Sequence, residues 1–115
     1  MLLREKDRKT LVKIFSSVTI PMEVLAYGSR VTGSAHEGSD LDLVIRSTDL
    51  KPLPMEVYGE LCENIRDSNI PILIELRDWA LLPKSFHKNI EQHHEVLFSN
   101  LGLTANEPES EYKKA

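Results

Sequence analysis

A single cysteine, Cys62, stands among the 115 residues, so no internal disulfide can form. Its place among Tyr58, Leu61 and Ile65 puts it on the apolar side of a helix, where it reads as a small core residue rather than a reactive thiol. No apolar run approaches the ~18 residues that cross a bilayer. The opening Met1-Leu2-Leu3-Arg4-Glu5-Lys6 lacks the long apolar stretch of a secretory leader, which makes the cytoplasm the expected location. There is no excess of Lys and Arg either: the net charge is −4. That excludes a broad nucleic-acid surface, which needs clustered cations to displace counterions. It leaves a bound nucleotide open, because a metal ion can bridge acid to phosphate. Internal repeats are absent.

What is present suits one soluble domain. The chain is 41% hydrophobic and 28% charged. A chain of this length buries roughly two-thirds of its unfolded surface, enough for a single core. Leu3, Leu11, Ile14, Phe15 and Val18 mark one face of a helix over about residues 4 to 17. Glu23-Val24-Leu25-Ala26-Tyr27 reads as a strand stopped by Gly28. A turn-rich stretch follows, with Gly33, Gly38, Ser29, Ser34 and Ser39, and Ser29 is placed to open a helical turn. From Asp40 to Arg46, Leu41, Leu43 and Ile45 alternate with Asp40, Asp42 and Val44. That is the pattern of a half-buried strand with an acidic side over a cleft. Met55, Tyr58, Leu61, Cys62 and Ile65 give a second amphipathic helix. Ile70 to Leu76 gives a third strand, with Ile72, Ile74 and Leu76 on one face and Leu73 and Glu75 on the other. After Pro83, Ser85 caps a last helix with Phe86, Ile90, His94 and Leu97 on its apolar side. The chain from Gly102 to Ala115 is polar and is expected to be a poorly ordered tail, so the domain is expected to span residues 1–101. The connection between the first two strands is too short for a comfortable crossover helix, so that pair is expected to be antiparallel. The expected class is α+β, a small mixed β-sheet packed on helices.

The informative constellation is Tyr27-Gly28-Ser29-Arg30, with Asp40-Leu41-Asp42 eleven residues beyond Ser29. Strand geometry puts Asp40 and Asp42 on one side, about 6 to 7 Å apart along the backbone. Two such acids repel until a cation arrives. Mg²⁺ suits them, since it takes oxygen ligands and is usually shared with substrate phosphates. A pair of ions about 3.5 to 4 Å apart would activate a hydroxyl at one and steady the leaving phosphate at the other. Glu75 is the third candidate acid. Among Ile72, Leu73, Ile74 and Leu76 it either ligates something or pairs with a cation such as Arg77 or Arg46. Gly28 permits close backbone approach, and Ser29 offers a hydroxyl and an amide to a phosphate. Arg30 can add a charge-assisted contact to the same phosphates. Ser39, in the same turn-rich stretch, is counted with them.

The run Gly28-Ser29-Arg30-Val31-Thr32-Gly33 through Ser39-Asp40-Leu41-Asp42-Leu43 resembles the signature of the DNA polymerase beta-like nucleotidyltransferase superfamily: Gly-Ser, a ten-residue gap, then Asp-X-Asp. Within it, the chain is most similar to the minimal nucleotidyltransferase (MNT) proteins, which share its length. The resemblance implies transfer of a nucleoside monophosphate, AMP from ATP for choice, to a hydroxyl with release of pyrophosphate. It implies metal-binding roles for Asp40 and Asp42 and a triphosphate turn at Gly28 and Ser29. Glu75 stands where the family pattern usually has a third Asp. The resemblance also implies a helical HEPN-type partner in a toxin–antitoxin pair, with a partner tyrosine as acceptor. The alternative is a catalytically weak module that neutralises its partner by covering it.

Other residues carry less. His93 and His94 are adjacent, and on a helix they point about 100° apart, too far to share an ion. His94 is read as partly buried and His93 as surface. His36, in the loop before the acids, is within reach of a phosphate. Trp79 is read as a core anchor, and Asp78 is the fallback third acid.

Overall fold

A computed structural model describes residues 1–33 and 38–101. The chain forms α1 (Glu5–Phe15), β1 (Met22–Tyr27), a short α2 (Ser29–Thr32), β2 (Leu41–Ser47), α3 (Met55–Arg66) and β3 (Ile74–Asp78). A single 3₁₀ turn (Trp79–Leu81), α4 (Lys84–Gln92) and β4 (Glu95–Ser99) follow. The four strands make one mixed sheet in the order β3-β2-β1-β4. β1 runs antiparallel to β2 and to β4, and β2 runs parallel to β3. The short β1–β2 connection therefore makes an antiparallel pair, as its length demands. The parallel pair is joined by the longer crossover that contains α3.

Strand alternation gives the sheet two unlike faces. On one, Met22, Val24, Ala26, Leu41, Leu43, Ile45 and Leu97 pack with Leu11 and Phe15 of α1 and Leu61 of α3. On the other, Leu25 and Val44 pack with Trp79 and with Ile90 of α4. Trp79 is thus a core anchor. The His87 ring stacks on it at 3.9 Å, and the Arg46 guanidinium lies 4.7 Å from its centre. α4 covers only part of this second face, and the remainder carries polar side chains.

The structure corrects several expectations. The third strand is Ile74–Asp78 rather than 70–76. Pro71 cannot donate to a ladder, and pairing with β2 runs on through Ile45 and Asp78. The final helix stops at Gln92, where His93 adopts extended backbone, and Glu95–Ser99 is a strand against β1. Leu97 therefore reaches the core from a strand, not from a helix face. Val96, Leu97 and Phe98 favour a strand, and the open edge of β1 supplies the partner. His94 is exposed rather than partly buried, and Phe86 is also exposed. Met55 is 87% exposed, and Val57 packs against the core in its place. His36 and the 102–115 tail lie outside the described residues. Among the described residues no helix is long and apolar enough to cross a membrane.

Candidate active site

Pairing across the sheet sets three side chains in a row on the partly uncovered face. Tyr27 of β1 is the register partner of Asp42 of β2, and Asp42 is the register partner of Glu75 of β3. Adjacent strands lie about 4.8 Å apart, so the three are immediate neighbours. Asp40 shares the parity of Asp42 and precedes it at the entrance to β2. The sequence-derived third acid therefore stands beside Asp42 on the same face.

Arg77, two residues beyond Glu75 on that face, ties the row together. Its Nη2 donates to Glu75 Oε1 at 2.6 Å. Its Nη1 donates to the Tyr27 hydroxyl at 3.2 Å and reaches Asp42 Oδ1 at 3.5 Å. The cation pairing that sequence reading left open for Glu75 is thus made with Arg77, while Arg46 pairs with Glu23 instead.

The electrostatics follow from burial and crowding. Burial pushes the Asp42 carboxyl above its ordinary range; the nearby Glu75 and Asp40 charges push the same way, and Arg77 opposes them. Burial likewise raises the Tyr27 phenol, with Arg77 again opposing. A half-buried acid held against two like charges is a site that favours a cation.

The turn after β1 is built around Gly28. Its φ of +83° lies where side chains are rarely tolerated, and its carbonyl accepts from Val31 and Thr32 to start α2. A Cβ at this position would lie 2.5 Å from Asp42 Oδ2. The backbone beside Ser29 is therefore pressed directly onto the acid, which only glycine allows.

Arg30, read from sequence as a phosphate contact, lies on α2 beside Ser29. It is buried, with Nε donating to the Ser39 carbonyl at 2.9 Å and Nη1 to the Leu2 carbonyl at 2.6 Å. It braces the segment that leads into Asp40 against the Gly28-Ser29 turn. Replacing Arg30 by Met is expected to cost about 2 kcal/mol, because it removes charge-assisted bonds to two carbonyls. Denaturant unfolding of the variant measures this.

Asp78 is also corrected. It is buried, and its carboxylate accepts from the backbone N–H of Leu53 at 2.8 Å and of Ala80 at 3.1 Å. It caps the 3₁₀ turn and is no substitute for Glu75.

Among the described residues, no three acids, histidines or cysteines are grouped so as to enclose a metal ion. The guanidinium of Arg77 supplies the positive charge between Asp42 and Glu75. The donor chemistry nonetheless fits a hard divalent cation. Asp40, Asp42 and Glu75 offer oxygen alone, on one face, with the Asp42 carboxyl raised by its surroundings.

Sequence reading missed Tyr27 as part of the site. The signal was its position, last in β1 and opposite Asp42 in a hairpin-like pair. It took Arg77 only as a candidate salt-bridge partner of Glu75, although the i, i+2 spacing in a strand places both on one face.

The site thus sits on a small mixed sheet with α1 and α3 on one face and α4 on part of the other, where a glycine-serine turn is pressed onto a strand acid. A solved structure described as a toxin–antitoxin with AMP-PNP has this fold: TM-score 0.61, 16% identity, 81% of this chain and 73% of that one covered. The Polbeta family (polymerase beta, nucleotidyltransferase) matches residues 9–101. The chain is also 33% identical over 94 residues to the probable protein adenylyltransferase MntA of Haemophilus influenzae (strain ATCC 51907 / DSM 11121 / KW20 / Rd), covering 81% of each. The chain therefore belongs to the polymerase beta-like nucleotidyltransferases, as a minimal member.

Proposed function

We propose that this protein transfers AMP from ATP to a hydroxyl of a partner protein, with Mg²⁺ as cofactor. The observation that carries this is the row Tyr27, Asp42, Glu75 with Gly28 packed on Asp42 and Ser29 alongside. The relative described as a probable protein adenylyltransferase supports AMP as the group and a protein as the acceptor. The toxin–antitoxin neighbour supports a separate partner chain, here a helical HEPN-type protein with a tyrosine as acceptor. The catalytic unit on this reading is residues 1–101, working in the cytoplasm where ATP is supplied.

Asp40, Asp42 and Glu75 would hold the divalent cation, which neutralises phosphate charge when bound. Gly28 and Ser29 would take the triphosphate through backbone amides and a hydroxyl, with Ser39 flanking. The acceptor oxygen forms a bond to the α-phosphorus as the bond to the bridging oxygen breaks and pyrophosphate leaves, and the hydroxyl proton passes to solvent. The protein's contribution is alignment and charge compensation.

The test is incubation with ATP labelled at the α-phosphate, Mg²⁺ and the co-encoded helical partner. Label should enter the partner and should vanish with EDTA. Absence of transfer under Mg²⁺, or labelling that survives the chelator, would overturn the proposal. The 2.6 Å pairing of Glu75 with Arg77 favours a second reading, a module that neutralises by binding alone. On that reading Asp40→Ala and Asp42→Ala leave partner neutralisation in cells intact, whereas an AMP-transferring antitoxin loses it.

A further inference from the structure

Arg77 has three partners, and they are unequal. Its Nη2 bond to Glu75 is short, at 2.6 Å. The Nη1 contact with the Tyr27 hydroxyl, at 3.2 Å, is ordinary, while the one to Asp42, at 3.5 Å, is at the limit of a hydrogen bond. The side chain is 38% exposed, so it can move without opening the core. Within the cluster, Asp40, Asp42 and Glu75 against Arg77 leave a formal charge of −2, the complement of one divalent cation, while Arg46 is paired with Glu23.

We propose that Arg77 is a positioning residue: it holds Glu75 in line beside Asp42, anchored by Tyr27, and releases Asp42 to a divalent cation. This rests on the metal-dependent reading of the site and adds to it a residue that sets both metal affinity and acid alignment. The weak leg of the fork is the one to Asp42, and it is the leg a cation displaces. The two stronger legs keep Glu75 from turning to solvent while this happens. Lysine cannot replace it, because an ammonium is a point charge and cannot span two acids and a hydroxyl from fixed positions.

The experiment is titration of the full chain with Mn²⁺, followed by electron paramagnetic resonance without nucleotide, beside the rate of AMP transfer with Mg²⁺. Arg77→Gln should bind Mn²⁺ about five- to tenfold more tightly, because a competing cation is gone. Its transfer rate should fall about tenfold, because Glu75 is no longer held. Arg77→Lys should restore Mn²⁺ affinity close to that of the wild type and leave the rate low, a split that loss of packing would not produce. Melting curves confirm that both variants are folded. Unchanged Mn²⁺ affinity in Arg77→Gln, or full rescue of rate by Arg77→Lys, overturns the role. Asp42→Asn separates the two failures. If that variant loses Mn²⁺ binding while Arg77→Gln binds as the wild type does, only the role of Arg77 falls. If Asp42→Asn still binds Mn²⁺, the metal-site reading falls and the role of Arg77 with it.

Discussion

Asp42→Asn should lower AMP transfer by roughly 10³-fold and, in the same protein, raise the melting temperature. The first effect follows from position. Asp42 is the centre of the row across the sheet, flanked by Tyr27 and Glu75 and touched by the Gly28 turn. An amide keeps its shape and removes its charge. The second effect follows from the carboxyl's environment. Its folded-state pKa is raised, chiefly by burial, with Glu75 and Asp40 adding to the shift against the pull of Arg77. A carboxyl raised on folding favours the protonated native state. The stabilisation from that proton is complete below the unfolded value of about 3.9 and is lost as pH rises through the folded value. At neutral pH the ionised Asp42 is therefore a cost to the fold, and asparagine removes it. Melting followed from pH 4 to 8 should show the wild type losing stability relative to Asp42→Asn just above the ordinary carboxylate range. A variant that melts below the wild type at neutral pH would mean that the Arg77 contact outweighs burial. Gain of stability with loss of activity is the pattern expected where a site is held in a strained electrostatic state.

The parts of this site that could be read from sequence are those that depend on local periodicity. Leu41, Leu43 and Ile45 against Asp42 fixed which side of β2 is acidic, and the short β1–β2 connection fixed the direction of pairing. Glu75 could be assigned to the acidic face because a polar residue among Ile72, Leu73, Ile74 and Leu76 has few other places to go. Long-range pairing was not readable. β4 exists because β1 has an open edge, and residues 95–99 fit a helical stripe about as well as a strand until that edge is known. Arg30 illustrates the same limit from the other side. Its charge and its place beside Ser29 suggested phosphate and gave no sign of the bonds it makes to the Ser39 and Leu2 carbonyls, the latter 28 residues away in the chain. A guanidinium takes whichever acceptors the fold brings to it, and backbone carbonyls carry no sequence signature. Tyr27 was hidden for a related reason. Its aromatic ring packs beside Leu25 and Val44 as a core residue would, and only its hydroxyl, through Arg77, enters the site.

Gly28→Ala should cost about 1–3 kcal/mol of stability and roughly 10²-fold in AMP transfer. Two separate constraints meet at this residue. Its backbone, at φ +83° and ψ −159°, lies in a region that is essentially reserved for glycine. Independently, the added methyl would lie 2.5 Å from Asp42 Oδ2, well inside contact distance. The methyl group must then move the carboxylate, or the turn must lift from β2. Either response disturbs the close approach of the Gly28 backbone to Asp42. Gly33→Ala is the matched control. Gly33 also has a positive φ, +90°, but a Cβ there meets nothing within 4 Å. It should lose about 1 kcal/mol through backbone strain and keep its transfer rate within about twofold of the wild type, since no site atom is displaced. Urea unfolding and labelled-AMP transfer on the two variants together distinguish strain from contact. Equal loss of activity in both would make the turn's conformation the requirement. Loss in Gly28→Ala alone makes it the close approach of backbone to carboxylate, which ties the Gly28-Ser29 turn to the acidic strand β2.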